Sequence, residues 1–172
     1  MVDRHVLTAR YRLNRNRSRD LFDLLVDEAY YSKPIALRHP IVFYEGHLPG
    51  FSFNAFVKNA LGGASIDSRL ETLFARGIDP DEKAGAGVAS SLGAWPSRRV
   101  VRQFAEEADA RVIDALAHAD IDAVPERREA VFTILEHEVM HQETLLYMWH
   151  RLPIDRKRRP KGYLPRTAGA VP

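Results

Sequence analysis

Apolar residues recur at helical spacing in four long segments and one short segment of this chain. The long segments are 8–25, 40–61, 95–118 and 125–151, and the short one is 65–76. Residues three and four positions apart lie on the same face of an α-helix, so each pattern predicts an amphipathic helix with one buried side. No segment alternates apolar and polar residues over the length of a half-buried strand. We therefore predict an all-α fold, a four-helix bundle with an additional short helix.

Proline and arginine refine the predicted helices. Pro40 and Pro125 suit the first turn of the second and fourth long helices. Pro49 and Gly50 interrupt the second pattern, and because proline removes a backbone donor we predict a kink or a break there. The arginine-rich half of the first helix is expected to face solvent; it comprises Arg10, Arg12, Arg15, Arg17 and Arg19. Residues 77–94 form a long connection before the third long helix.

The composition fits a single globular domain, with 172 residues of which 45% are apolar. Cysteine is absent, which excludes disulfides, thiolate metal ligands and a cysteine nucleophile and is compatible with a reducing cytoplasm. No apolar run reaches the ~18 residues of a membrane-spanning helix, and no apolar segment follows the basic N-terminus as in a signal peptide. We expect a cytoplasmic protein without a membrane partner.

The net charge of +2 hides two basic ends. Residues 1–19 carry six arginines against Asp3, and residues 151–166 carry seven lysines or arginines against Asp155. Basic ends of this kind are typical of solvated segments, and no aromatic-rich RNA-binding motif accompanies them. Nucleic acid is therefore not the partner we expect, although a basic-tailed nucleic-acid binder stays an alternative that salt-dependent DNA retention would support.

The sequence His137-Glu138-Val139-Met140-His141 lies within the fourth predicted helix. Two imidazoles four residues apart stack on one helix face and can point at one metal ion. His47, just before the predicted kink, is a candidate third ligand from a facing helix. Three histidines leave coordination positions open, as catalytic metal sites do, and imidazole suits zinc, copper, iron or nickel. Buried core histidines without a metal are the alternative at this point.

A zinc protease is the first interpretation of a His-Glu-x-x-His motif, with Glu138 as the general base. The rest of the chain argues against it. No glutamate follows Glu143 to serve as a downstream third ligand. The longer protease motif needs glycine and histidine where this chain has Thr144 and Tyr147.

Four segments together resemble the N-terminal domain of the ergothioneine-biosynthesis sulfoxide synthase (EgtB) family, which belongs to the DinB-like superfamily of metal-binding four-helix bundles. They are HPIVFYEGH at 39–47, LFARGIDP at 73–80, WPS at 95–97 and HEVMHQETLLYM at 137–148. The resemblance implies an iron(II) site with His47, His137 and His141 as ligands. It also implies that O2 is used to join the sulfur of a small thiol to the imidazole ring of hercynine, forming a sulfoxide.

Full-length members of that family continue into a second domain resembling formylglycine-generating enzyme, which supplies the catalytic tyrosine and most substrate contacts. The resemblance therefore implies that residues 1–155 are the metal-binding bundle. Residues 156–172 are then a basic linker toward that C-terminal domain, or the partner is a separate subunit. This chain looks like the iron-binding half of an oxidoreductase, and we expect it to bind metal without completing sulfoxide synthesis alone. No catalytic residue is assigned within it.

The roles of several further residues stay open in the sequence. Glu138 and Glu143 are either hydrogen-bond acceptors that orient a ligand histidine or solvated helix charges. Tyr44 either lines the pocket or is a core aromatic residue. The remaining histidines that we considered are expected in loops or on the surface; they are His39, His118 and His150.

Two further functions stay open beside the iron enzyme. One is a metal-dependent thiol transferase of the DinB-like superfamily, which acts without O2 and holds zinc or nickel. In that enzyme the metal would ionise a bound thiol and so make it a better nucleophile. The other is a non-enzymatic helical module whose exposed apolar surface contacts a partner.

Overall fold

The computed structural model describes residues 3–77, 95–160 and 162–164. The five α-helices of these residues are α1 (Arg4–Asp23), α2 (Ile41–Ser52), α3 (Ser68–Phe74), α4 (Arg98–His118) and α5 (Pro125–His150). Within the described ranges there is no β-strand, only an isolated antiparallel bridge between Leu25 and Lys157. The prediction of four long helices and one short helix is confirmed. Most of the predicted connection, residues 78–94, lies outside the described part of the chain.

The first helix begins four residues before the predicted start at Thr8. The Asp3 side chain accepts hydrogen bonds from the backbone N–H groups of His5 and Val6. This cap satisfies donors that the first helical turn leaves without intrahelical partners. The cap therefore allows α1 to include the polar residues that precede the apolar stripe.

The predicted break at Pro49 does not occur, and a kink there stays a prediction. Helix α2 continues through Pro49 to Ser52, and a π-helix, Phe53–Ala60, follows it directly. Every residue of 41–50 is buried, so neighbouring elements hold this helix on all sides despite the missing backbone donor. The element then ends in a turn where Gly62 has a φ of 70°, a conformation that glycine adopts without strain.

The long helices run in two parallel pairs of opposite direction. Contacts between α1 and α5 advance together along both helices, from Arg10 with Glu136 to Leu21 with Trp149. Helix α4 runs against α1, since Arg4 contacts Ala117 near the far end of α4. Helices α2 and α4 are parallel to each other, and each long helix packs against one from the other pair.

Two apolar clusters fill the bundle. One surrounds Phe43, Phe74 and Trp149, and the other surrounds Tyr11, Phe53 and Phe56. Buried polar residues of α1 and α5 lie between the two clusters along each helix, and His47 of α2 and Asp109 of α4 are buried in contact with them; the six are Arg15, Ser18, His47, Asp109, Glu138 and His141. We call these six residues the polar layer. Buried polar groups need partners, so the contacts within this layer restrict how the helices align with one another.

The segment after α5 returns to the bundle. The backbone N–H of Val26 donates to the carbonyl of Arg156, and that of Arg158 donates to the carbonyl of Leu24. The start of the predicted linker, 156–158, is therefore paired with the chain that follows α1. The division at residue 155 stays a prediction. Among the described residues, no helix has both the length and the apolarity that crossing a membrane requires.

Candidate metal centre

The structure brings the three predicted histidines together. Helix α2 contributes His47 and α5 contributes His137 and His141, each offering a ring nitrogen within 4.8 Å of the other two. The Nε2 atoms of His47 and His141 are 3.3 Å apart. His47 and His141 are buried, and His137 is partly exposed. The cluster therefore lies at the edge of the polar layer, and solvent reaches it from the side of His137.

A short hydrogen bond fixes the proton on His47. Its Nδ1 lies 2.7 Å from the carbonyl oxygen of Phe74, the last residue of α3. A carbonyl only accepts, so Nδ1 carries the hydrogen and Nε2 presents a lone pair toward His141. Ligand histidines in proteins are oriented in this way by a hydrogen bond from the second ring nitrogen.

The donor set fits a single metal ion. Nitrogens bound to one ion at about 2.0–2.1 Å lie about 3.0–3.4 Å apart, depending on the coordination geometry. The 3.3 Å between the Nε2 atoms of His47 and His141 is in that range. The buried Nδ1 atoms of His137 and His141 have no hydrogen-bond partner among the described residues. In His141 the unpartnered Nδ1 is the ring nitrogen opposite the one that faces His47, so Nε2 is the atom that this geometry offers to an ion.

Aromatic rings hold the three imidazoles in place. The ring of Phe51 stacks on His137 with centroids 3.6 Å apart, and the ring of Phe43 stacks on His47 at 4.8 Å. Tyr44 is fully buried, with its ring 5.9 Å from that of His141. Of the two interpretations of Tyr44, the core aromatic residue is the one that this burial supports, and it also borders the cluster.

Burial keeps the three histidines neutral. Desolvation, followed by the neighbouring imidazoles, lowers the pKa of His137 to about 2. Desolvation, followed by His47 and Arg38, lowers the pKa of His141 to about 4, and desolvation also lowers the pKa of His47. Neutral imidazole is the form that binds a metal ion, so at neutral pH no proton has to leave before binding.

The position of Glu138 contradicts both interpretations of this residue. It is neither solvated nor bonded to a ligand histidine, because its carboxylate is buried against α1, where Arg15 Nη1 donates to it at 2.8 Å and Ser18 donates a second bond. A carboxylate held in this way on another face of α5 does not serve as a protease base beside the metal. Glu143 is exposed, as one of its two interpretations expected.

Arg15 was expected in solvent, and that prediction was wrong. Its side chain is buried and binds Asp109 Oδ1 of α4 through Nε at 2.8 Å. Tyr11 also donates to this carboxylate, and Arg19 pairs with its other oxygen. The helical spacing of the sequence could have indicated this burial, because Arg15 lies four residues after Tyr11 and so on the same face of α1. The sequence analysis also missed Asp109, which lies on the buried face of α4.

His39 packs against one of the aromatic rings that hold the cluster. It lies in the loop before α2, as predicted, but it is buried, with Nε2 2.9 Å from the carbonyl oxygen of Gly77 and its ring 4.1 Å from that of Phe43. Its ring thus supports Phe43, which in turn stacks on His47. His118 and His150 are exposed, as expected.

The family model of the DinB superfamily matches residues 10–145, and the chain therefore belongs to that superfamily. Two individual proteins are similar to this chain over most of its length. The chain is 31% identical over 128 residues to Ergothioneine biosynthesis protein 1 of Neurospora crassa, and 30% identical over 130 residues to the protein of that name from Schizosaccharomyces pombe. Each match covers 73% of this chain but only 15% and 17% of the relatives. The resemblance seen in the sequence motifs is confirmed, and the chain spans about one sixth of the length of these relatives.

Proposed function

We propose that this chain is the metal-binding domain of an iron(II)- and O2-dependent sulfoxide synthase of the ergothioneine-biosynthesis type. The observation that carries the proposal is the three-histidine cluster between α2 and α5. Its setting supports it, because the bundle belongs to the DinB superfamily and two relatives carry ergothioneine biosynthesis in their names. The substrates are a small-molecule thiol and hercynine, and the bond formed joins sulfur to the imidazole carbon.

The residues of the chain prepare the site rather than perform the chemistry. His47, His137 and His141 would hold the ion with three neutral nitrogens, and the Phe74 carbonyl keeps the His47 lone pair on Nε2. Iron(II) in such a site supplies O2 activation, which zinc or nickel, the alternatives for a thiol transferase, do not. Phe43 and Phe51 exclude water from two of the rings.

A partner is proposed for the open side of the centre. His137 lies in a shallow depression of α5 together with Phe132 and Met140, whose side chains are 44% and 46% exposed. Leu146 and Tyr147 are further exposed apolar residues of the same helix. We propose that a C-terminal domain resembling formylglycine-generating enzyme, or a separate subunit of that kind, covers this face. That partner would provide the catalytic tyrosine and most substrate contacts.

Metal analysis of the purified chain tests the first part. Wild type is compared with His47→Ala, His137→Ala and His141→Ala, and His150→Ala serves as the matched control, since it is an exposed histidine of the same helix. Stoichiometric iron after anaerobic loading, lost in the first three variants and kept in the control, supports the proposal. Zinc or nickel that iron does not displace would favour the thiol transferase. No binding of any of these metals would refute the site.

Turnover tests the second part. The chain alone, supplied with iron(II), hercynine, a thiol and O2, is expected to form no sulfoxide. Addition of a domain resembling formylglycine-generating enzyme is expected to restore it. Sulfoxide formation by the chain alone would contradict the need for a partner while leaving the metal site intact.

A further inference from the structure

Helix α5 presents two different polar faces at the same height. Successive helical residues are rotated by about 100°. His137 and His141 face α2, while the residues that follow each of them, Glu138 and Gln142, face α1. The ligand face and the face toward α1 are therefore fixed relative to each other by the helix itself.

The face toward α1 is held at two successive turns. Glu138 accepts from Arg15 Nη1 at 2.8 Å and from Ser18. One turn later, Gln142 Nε2 donates to the backbone carbonyl of Asn14 at 2.9 Å and to Ser18 Oγ at 3.1 Å. Contacts at two heights oppose both rotation of α5 about its axis and sliding along α1.

The anchor on α1 is itself held by a third helix. Arg15 is 5% exposed and bridges Glu138 to Asp109 of α4, with both distances 2.8 Å. Tyr11 donates to the same Asp109 oxygen at 2.8 Å. The carboxylate of Glu138 is thus the end of a buried chain of charges that joins α1, α4 and α5.

We propose that Glu138 is a positioning residue for the metal centre. Through Arg15 it fixes the rotation and height of α5 so that His137 and His141 meet His47. A buried ion pair often adds little net stability compared with apolar side chains of similar volume, but it can fix register. A slip of one residue would turn the ligand face by about 100° and move it about 1.5 Å along the axis, which no single ion could bridge. This inference rests on the proposed metal site.

The decisive variant replaces the pair by apolar side chains. Arg15→Met with Glu138→Leu removes both charges of this pair together, and Asp109 keeps Tyr11 and Arg19 as partners. We expect a folded helical protein of similar thermal stability that binds cobalt(II), a spectroscopic probe of the site, on the order of 10-fold more weakly. Its visible absorption spectrum is expected to differ from that of wild type, because the ligand geometry is no longer fixed.

Two single variants separate geometry from charge. Glu138→Gln keeps an oxygen that accepts from Arg15 and Ser18, and we expect it to retain the wild-type cobalt spectrum and most of the affinity. Glu136→Gln is the matched control, because Glu136 also pairs with an arginine of α1, Arg10, at 2.8 Å, but on the surface. It is expected to change neither quantity.

The outcomes distinguish this inference from the proposed function. If wild type binds cobalt and the folded double variant binds it with the same affinity and spectrum, Glu138 does not position the centre and the metal site stands. If Glu136→Gln weakens binding as much as the double variant, any contact between α1 and α5 suffices and the assignment to Glu138 is wrong. If wild type itself binds no metal, the proposed function fails and this inference fails with it.

Discussion

The ring of Phe74 occupies the space that a Cβ atom on Gly46 would fill. An ideal Cβ at Gly46 would lie 2.4–2.5 Å from three atoms of that ring, far inside van der Waals contact. Helix α3 can therefore pack directly on α2 only because residue 46 is glycine. The same close approach brings the Phe74 carbonyl to Nδ1 of the next residue, His47.

Replacing Gly46 by alanine is expected to weaken metal binding. The added methyl group forces the Phe74 ring to move, and the carbonyl that fixes the His47 proton moves with it. Overpacking of this kind costs about 1–3 kcal/mol of stability. The measurements are metal affinity and the free energy of unfolding. Gly77→Ala is the control, since a Cβ there meets no described atom within 4 Å. Unchanged affinity in Gly46→Ala would show that the α3 contact does not orient His47.

The stability of the metal-free protein is expected to fall as the pH is lowered from about 7 to 5. Burial followed by His47 and Arg38 lowers the pKa of His141 to about 4, whereas a histidine in the unfolded chain titrates near 6.5. Below pH 6.5 the unfolded chain takes up the proton first. The stability that the neutral, buried His141 contributes is therefore fully present above pH 6.5 and is lost progressively toward pH 4. Each histidine that stays neutral in the folded state adds a slope of about 1.4 kcal/mol per pH unit.

Urea unfolding between pH 5 and 7.5 measures that slope. His141→Ala should give a shallower dependence than wild type, while the exposed His150→Ala should keep the wild-type slope. Equal slopes in wild type and His141→Ala would mean that His141 takes up its proton over the same pH range in the folded, metal-free protein as in the unfolded chain.

Glu71 is expected to stabilise the start of α3. Its carboxylate is buried and accepts hydrogen bonds from Lys58, Ser65 and the backbone N–H groups of Ile66 and Asp67. Glu71→Ala leaves these donors without their acceptor, and hydrogen bonds to a charged group contribute about 1.5–3 kcal/mol each. We expect a loss of about 2–4 kcal/mol in the free energy of unfolding, together with weaker metal binding, because α3 supplies the Phe74 carbonyl.

Chemical denaturation and metal titration of Glu71→Ala check this expectation. Arg69→Ala, at an exposed position of the same short helix, is the matched control and should leave both quantities near wild type. A destabilised Glu71→Ala protein with wild-type metal affinity would separate the stability of α3 from the orientation of His47.

Trp149→Phe is expected to lower stability without changing the metal centre. The indole Nε1 donates to the carbonyl of Leu21 at 2.9 Å, so phenylalanine leaves that carbonyl without this bond. The cost is about 0.5–1.5 kcal/mol in the free energy of unfolding. Metal affinity should stay at the wild-type value, because this contact lies two turns beyond His141. Reduced affinity would indicate that the whole α1–α5 interface, rather than the polar layer, governs the site.

The helices were predictable because their apolar spacing is local information. The meeting of His47 with His137 and His141 was predictable from the bundle and from the spacing of the pair on α5, although their role as ligands stays a proposal. The helical phase of Arg15 indicated the buried face of α1, but its burial could not be predicted from α1 alone, because an arginine is stable in the core only when carboxylates reach it, and here they come from α4 and α5. The continuation of α2 through Pro49 likewise depends on neighbours that bury it from all sides.

The distance along the chain between the ligands has a consequence for biosynthesis. The contact between His47 and His141 spans 94 positions. Contacts of such separation require closure of a long loop and form late in folding. Because a chain leaves the ribosome with its N-terminus first, α5 is the last of the five helices to become available. A metal ion can therefore be bound by all three histidines only after α5 has been translated, and an occupied site would mark a chain in which α2 and α5 have already docked.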